Sequence, residues 1–150
     1  MATRRSRGVA AEAEAVFYWD TSAVISTLLR DAHSEKALKL ARKSGLHLLS
    51  SLAWAETLAL IARTQRARAL TALLAEAARE ALIEGPWRRV NVLPDWSVTL
   101  QLSRAWPLRG ADLWHLSAAK TLHVELPELR IVSFDERLNA AAEALAYGHT

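Results

Sequence analysis

The sequence predicts a single compact α/β domain, a central parallel sheet of about four to five strands flanked by helices. Three observations carry this. Short apolar runs of β-prone residues alternate with longer helical patterns in the order βα, βαα, βα-α, βα, which is how a parallel sheet with covering helices is written. The first run, Val16-Phe-Tyr-Trp19, is apolar throughout rather than alternating, as a strand buried on both faces reads. The 150 residues are 51% hydrophobic and 23% charged, which suits one domain with a real core and is too apolar for a disordered chain.

The elements follow in order. Val16–Trp19 is the first strand and stops abruptly at Asp20; Asp20-Thr21-Ser22 supplies helix-start chemistry for a short helix over Ala23–Leu29. His33 to Lys43 carries apolar residues at 37, 38, 40 and 41, an amphipathic helix that Gly45 ends. Leu46–Leu49 is a short strand. Ser50 and Ser51 then cap a helix from about Leu52 to Arg66, and a second Ala/Leu-rich helix runs from about Ala69 to Ile83 before Gly85-Pro86. Arg89–Leu93 alternates as a strand, and Pro94 closes it. Asp95 caps a helix over Trp96–Trp106 that Pro107 terminates, and Ala111–His123 is helical after Gly110. Arg130–Phe134 is the last strand and Asp135–Tyr147 the last helix. Residues 1–13 read as a basic, frayed tail and 14–150 as the domain; there is no internal repeat, linker or low-complexity segment beyond the tail.

Composition excludes several classes. Cysteine is absent, so disulfides, thiolate metal sites and cysteine nucleophiles are ruled out, and a reducing, cytoplasmic setting is allowed. No apolar run approaches the roughly 20 residues that span a bilayer. Glu12 and Glu14 interrupt what would be the apolar core of a cleaved signal and weaken a transit-peptide reading. The net charge of +3 equals the contribution of Arg4, Arg5 and Arg7, so charge alone argues weakly for a nucleic-acid partner.

Most of the 16 acids are unremarkable, but four are not. Asp20 and Asp135 each follow a buried strand run. In an open parallel sheet that places both at the carboxyl edge, where ligands bind. Each is also a natural helix N-cap. Ser133 could cap the last helix instead, with Glu136 completing a capping box, which would free Asp135. Glu56 has Leu52, Ala59 and Leu60 at i−4, i+3 and i+4, so its charge sits on an apolar stripe. Such a charge demands an arginine partner, hydrogen bonds or a metal. Asp112 opens a helix after Gly110-Ala111, where it either complements the helix dipole or serves as a ligand. Acids gathered at one sheet edge repel, and a hard divalent cation relieves that repulsion. Mg²⁺ takes oxygen ligands and retains waters, whereas the singly scattered histidines do not suggest zinc.

At these residues the chain resembles the PIN-domain family, of the VapC toxin type. The matching segments are Tyr18-Trp-Asp-Thr-Ser-Ala-Val24, Ser50-Ser-Leu-Ala-Trp-Ala-Glu-Thr57, Leu108-Arg-Gly-Ala-Asp-Leu-Trp-His-Leu-Ser-Ala-Ala119 and Val132-Ser-Phe-Asp-Glu-Arg-Leu-Asn-Ala-Ala142. They occur in the family's order, and the likeness spans about residues 16 to 148. It implies a Rossmann-like fold and a Mg²⁺- or Mn²⁺-dependent ribonuclease whose acidic metal site is Asp20, Glu56, Asp112 and Asp135. A supporting hydroxyl falls on Thr21 or Ser22, and Ser133 matches the hydroxyl before the fourth acid. His115 is read as a packed helix residue without assigned chemistry. Phe17, Tyr18 and Trp19 stand where aliphatic residues are more usual, a change expected to touch packing and not ligands.

The resemblance also implies RNA as substrate, a homodimer, and a VapB-like antitoxin whose C-terminal segment covers the acidic site. The metal-activated water would leave a 5′-phosphate and a 3′-hydroxyl. Arg109, beside Asp112, is the best candidate for a phosphate contact. Arg63, Arg66, Arg68, Arg79, Arg88 and Arg89 form either a phosphate-contacting rim or a solvated helix face. Of the six tryptophans, Trp87, Trp96 and Trp106 lie near element ends, where an aromatic can anchor an interface. Competing readings are a noncatalytic RNA- or protein-binding module of the same fold, and a housekeeping nuclease or another metal-dependent phosphoesterase acting on DNA or a small phosphate.

Overall fold

In the computed structural model, residues 13–145 are described. Four strands, β1 (Val16–Trp19), β2 (Leu46–Ser50), β3 (Trp87–Val90) and β4 (Leu129–Val132), form one parallel sheet in the order β3-β2-β1-β4. Seven helices accompany them: α1 (Thr21–Leu28), α2 (Ser34–Ala41), α3 (Ser51–Arg66), α4 (Ala72–Glu84), α5 (Trp96–Ala105), α6 (Gly110–His123) and α7 (Glu136–Ala144). The expected parallel α/β sheet is therefore present, with four strands among the described residues. The N-terminal tail reading (1–13) falls almost wholly outside those residues, as does the end of the last expected helix.

The strand pattern explains the layering. Val16 and Tyr18 share a face with Leu48, Leu129 and Ile131, and α5, α6 and α7 cover it through Leu102, Leu116 and Leu138. Phe17 and Trp19 point the other way with Leu49 and Val132, against Ala23, Val24, Leu40, Ala53 and Leu82 of α1 to α4. Burial on both faces is why β1 reads as an unbroken apolar run. Trp19 is fully buried; its indole N–H donates to His47 Nδ1 at 3.0 Å, and His47 Nε2 lies 2.9 Å from the Lys43 carbonyl.

Helix starts follow side-chain chemistry. Asp20, Ser50, Thr71, Asp95 and Asp135 each accept a backbone N–H of the first turn. The Asp20 and Ser50 caps start α1 and α3 directly after their strands, earlier than the apolar pattern alone suggests. The start of α4 moves in the other direction, from the expected 69 to 72. There α3 ends on Arg68 in the left-handed region (φ 58°), with the Ala69 N–H donating to the Thr64 carbonyl at 3.1 Å. The third strand is two to three residues earlier than expected. Trp87 is drawn into the sheet opposite His47 and packs edge-on against Trp19 at 5.8 Å. Val92 is buried, but beyond the ladder.

The topology has one consequence for function. From β1 the chain moves outward to β2 and then β3, and it returns to place β4 on the opposite side of β1. The strand order reverses between β1 and β4, and the crevice outside their carboxyl ends is where ligands bind in such sheets. Asp20 and Ser133 to Asp135 stand there. Because Trp19 fills the core directly beneath Asp20, Trp19→Ala is expected to lower the unfolding free energy by about 3–5 kcal/mol, measurable by denaturant titration. A loss under about 1 kcal/mol would contradict this packing account.

Candidate active site

The site is built from the two loops that leave β1 and β4. Asp20 is 2% exposed, and both its oxygens are engaged. Oδ1 accepts from the Ala23 N–H at 2.9 Å and faces Ser22 Oγ at 2.8 Å, while Oδ2 accepts from Ser133 Oγ. The backbone N–H of Phe134 donates to Ser22 Oγ at 3.1 Å, and that of Asp135 to Ser133 Oγ at 3.0 Å. One carboxylate and two hydroxyls thus tie the β4 loop to the β1 loop. Burial pushes the Asp20 carboxyl above the usual aspartate range, with the bonds from Ser133, Ala23 and Ser22 pulling it back.

Asp135 caps α7 through the Leu138 N–H at 2.9 Å. The alternative in which Ser133 caps that helix with Glu136 is not what forms: Asp135 accepts the first-turn N–H, while Ser133 Oγ donates to Asp20 and accepts from the Asp135 N–H. Asp112 sits on the first turn of α6 and accepts no hydrogen bond among the described residues. Its carboxyl is also held above the ordinary range, first by burial and then by the charges of Asp135 and Asp20, with Glu56 adding a little and His115 opposing. Asp112 therefore reports electrostatically on the other three acids: all four share one neighbourhood.

Glu56 is held differently. Thr21 Oγ1 donates to its Oε1 at 2.7 Å, and His115 Nε2 lies 3.2 Å from the same oxygen. These partners, His115 first, lower the Glu56 carboxyl below its ordinary value despite partial burial. Oε2 takes no protein hydrogen bond among the described residues. The other ring nitrogen of His115, Nδ1, lies 2.8 Å from the Tyr18 hydroxyl. Burial drives the Tyr18 phenol well above its usual value, so it stays protonated and can donate to Nδ1, leaving the proton on Nε2 directed at Glu56. The aromatic residues of β1 thus do more than pack, and His115 is both a packed residue and a partner of Glu56. Its i+3 spacing from Asp112 on one helix was the sequence signal that could have found it. The two candidate hydroxyls divide the work: Ser22 serves Asp20 and Thr21 serves Glu56.

Beside Asp112 and Asp135 opens a cleft of about 310 Å³ lined also by Arg109, Phe134, Glu136 and Arg137. Neither arginine forms an ion pair or hydrogen bond among the described residues. Arg109 is where the sequence reading put it; Arg137, two residues past Asp135, was missed. Of the proposed rim, Arg79 is committed to Glu76 and Gln65. Of the candidate anchors, Trp87 packs on Trp19 and Trp106 against the core, while Trp96 is 93% exposed.

The donor chemistry fits a hard divalent cation: the four acids offer oxygen ligands only, and the Asp112 carboxyl, raised first by burial, is raised further by the charges of Asp135, Asp20 and Glu56. The fit is one of chemistry and charge rather than of a closed ligand shell. As the side chains stand, no three acidic or imidazole groups among the described residues are grouped as ligands of one ion.

Fold and site together define a PIN domain: the chain matches that family over residues 17–144, and it belongs to the PIN-domain family. PIN domains are generally metal-dependent nucleases. Among solved structures the chain is similar to PAE2754 from Pyrobaculum aerophilum, with a TM-score of 0.59 and 17% identity, covering 85% of this chain and 79% of that one. It is also similar to VapC20 of Mycobacterium tuberculosis, a sarcin-ricin loop cleaving toxin, with a TM-score of 0.58 and 20% identity, covering 83% of this chain and 94% of that one. At these identities the likeness is one of fold. No curated protein sequence matches the chain.

The raised Asp112 carboxyl has a thermodynamic consequence. Its folded-state pKa lies above the unfolded value of about 3.9, so the folded protein binds this proton more tightly. The associated stability is present below about pH 4 and is lost as pH rises through the raised value. In EDTA, Asp112→Asn is expected to melt above the unmodified protein at pH 7, with the gap closing towards pH 4 by scanning calorimetry. A variant that melts at or below the unmodified protein throughout would contradict the crowding of charge.

Proposed function

We propose that this chain is a Mg²⁺-dependent (or Mn²⁺-dependent) endoribonuclease of the VapC type, the toxin of a toxin–antitoxin pair. The observation that carries the reading is geometric: in a PIN domain, Asp20 is tied through Ser22 and Ser133 to the loop that presents Asp135 at the β1–β4 switch point, and Asp135 lines one cleft with Asp112. Asp20, Asp112, Asp135 and Glu56 would hold the cation. When bound, it supplies Lewis-acid stabilisation of phosphoryl oxygens and a more acidic water.

The chain's own residues supply the rest. Ser22 and Ser133 offset part of the burial that pushes the Asp20 carboxyl up and fix its two oxygens in place. Thr21 and His115 fix Glu56 through Oε1, so that Oε2 is available to orient the attacking water and accept its proton. Tyr18 sets the imidazole tautomer that makes this possible. Arg109 contacts a phosphate of the strand next to the bond cut, and in-line attack by water leaves a 5′-phosphate and a 3′-hydroxyl.

Single-stranded or looped RNA is the substrate class this reading favours, since its bases can be splayed. The fold shared with a sarcin-ricin loop cleaving toxin supports it. The reading carries with it a homodimer and a VapB-like antitoxin whose C-terminal segment lies over the acids with a basic residue among them. The apolar face formed by Leu93, Trp96 and Leu100, which are 88%, 93% and 53% exposed, supports a protein contact. A cytoplasmic location goes with this reading; separately, no helix among the described residues is long and apolar enough to cross a membrane.

The test is incubation of purified protein with RNA and DNA oligonucleotides in Mg²⁺, Mn²⁺ or EDTA. RNA-only cleavage abolished by EDTA is expected, and Asp20→Asn and Asp112→Asn should each remove it, by at least about a hundredfold, with circular dichroism unchanged. Full-rate cleavage by either variant would contradict the assignment. Tight RNA binding without cleavage would select the noncatalytic module, and DNA cleavage another phosphoesterase.

A further inference from the structure

A second feature of the same sheet edge lies outside the acidic site. At the carboxyl ends of β2 and β3, where Ser50 pairs with Val90, a cleft of about 190 Å³ is lined by Ser50, Ser51, Trp54, Arg89, Val90 and Asn91. The Arg89 guanidinium lies over the Trp54 ring, 5.0 Å from its centroid. Arg89 is exposed, and among the described residues it has no acidic partner. We propose that this niche holds one base of a single-stranded RNA substrate, at a nucleotide removed from the bond that is cut. The inference rests on the ribonuclease reading above and extends it to substrate recognition.

Three features converge on a base rather than on another ligand. An arginine backed by an indole is held with its outer face to solvent, and bases stack on guanidinium planes and aromatic rings alike. The exposed Asn91 at the rim offers both a donor and an acceptor, and Ser51 offers a hydroxyl, the complement of a base edge. The cleft is on the scale of one ring system, so a paired base within a helix does not enter; an unstacked one does.

Its position connects it to the acids. Trp54 and Glu56 are on the same helix, α3, so the segment that presents the candidate water-orienting carboxylate also presents the platform. β3 lies two strand spacings from β1, roughly 10 Å along the edge, a separation that a strand bound at Asp20 and Arg109 would cross as it leaves the site. The sequence grouped Arg89 with five other arginines as a charged rim; the geometry separates it from them because it alone is laid on an aromatic ring.

The experiment uses a labelled short single-stranded RNA and the same sequence annealed as a duplex. Binding is measured by anisotropy with the Asp112→Asn protein, which stops turnover, and steady-state cleavage is measured with the otherwise unmodified protein. Arg89→Ala and Trp54→Ala should each weaken single-strand binding on the order of tenfold and raise KM similarly, with kcat much less affected. Trp54→Phe, which keeps a ring, should lose less than Trp54→Ala. Arg42→Ala, an exposed arginine at the opposite end of the sheet, should change nothing. Should Trp54→Ala fail to fold, the exposed Arg89→Ala still decides. If the protein cleaves RNA while Arg89→Ala keeps the parental Kd and KM, the niche is a packing contact and the inference fails alone. If the unmodified protein neither binds nor cleaves RNA, the ribonuclease reading fails and takes the inference with it.

Discussion

Asp20 carries a charge into a place where a charge is costly, and the structure around the β1–β4 crevice is organised by that fact. Its carboxylate sits at the end of a fully buried strand, above Trp19, with almost no solvent contact. A bare carboxylate there would protonate or unfold its surroundings. The Ala23 N–H and the Ser22 and Ser133 hydroxyls offset part of that cost, and in doing so they join two loops 113 residues apart in the chain. The same bonds that solvate Asp20 therefore position Asp135, whose N–H is held by Ser133, and start α1. Removing the hydroxyls would disturb charge, helix start and loop docking together.

Around this anchor the other acids are treated unequally. Asp135 is tied to a helix N-terminus and Glu56 is fixed through one oxygen, while Asp112 has no hydrogen-bond donor and feels the charges of the rest. Such an arrangement stores repulsion, and a bound dication would release it. Function in sites of this kind is commonly supported at some cost in stability. The second layer, Tyr18 to His115 to Glu56, lends the cluster a defined hydrogen-bond chain.

Much of this was legible in the residues. An apolar run that stops at an acid marks Asp20 and Asp135, because a strand buried on both faces can end only where the chain meets solvent or a ligand. Glu56 stood out by its neighbours, although Ala59 is exposed and the partners that matter, Thr21 and His115, come from other elements. What was not legible depends on which faces meet. Tyr18 reaches His115 only because alternate residues of β1 point towards α6. Trp87 moves the third strand forward only because Trp19 offers it an edge. Arg79 and Arg89 look alike in sequence and differ because one has Glu76 a helical turn away and the other has Trp54 across a strand end.

The claim on which the account turns is that these carboxylates jointly take up a hard cation. Calorimetric titration of Mn²⁺ into the EDTA-stripped and desalted protein addresses it without reference to any substrate. The account predicts saturable binding accompanied by a rise in melting temperature, with both lost in Asp20→Asn and in Asp112→Asn. Undetectable binding by the unmodified protein, or equal binding by the variants, would contradict it.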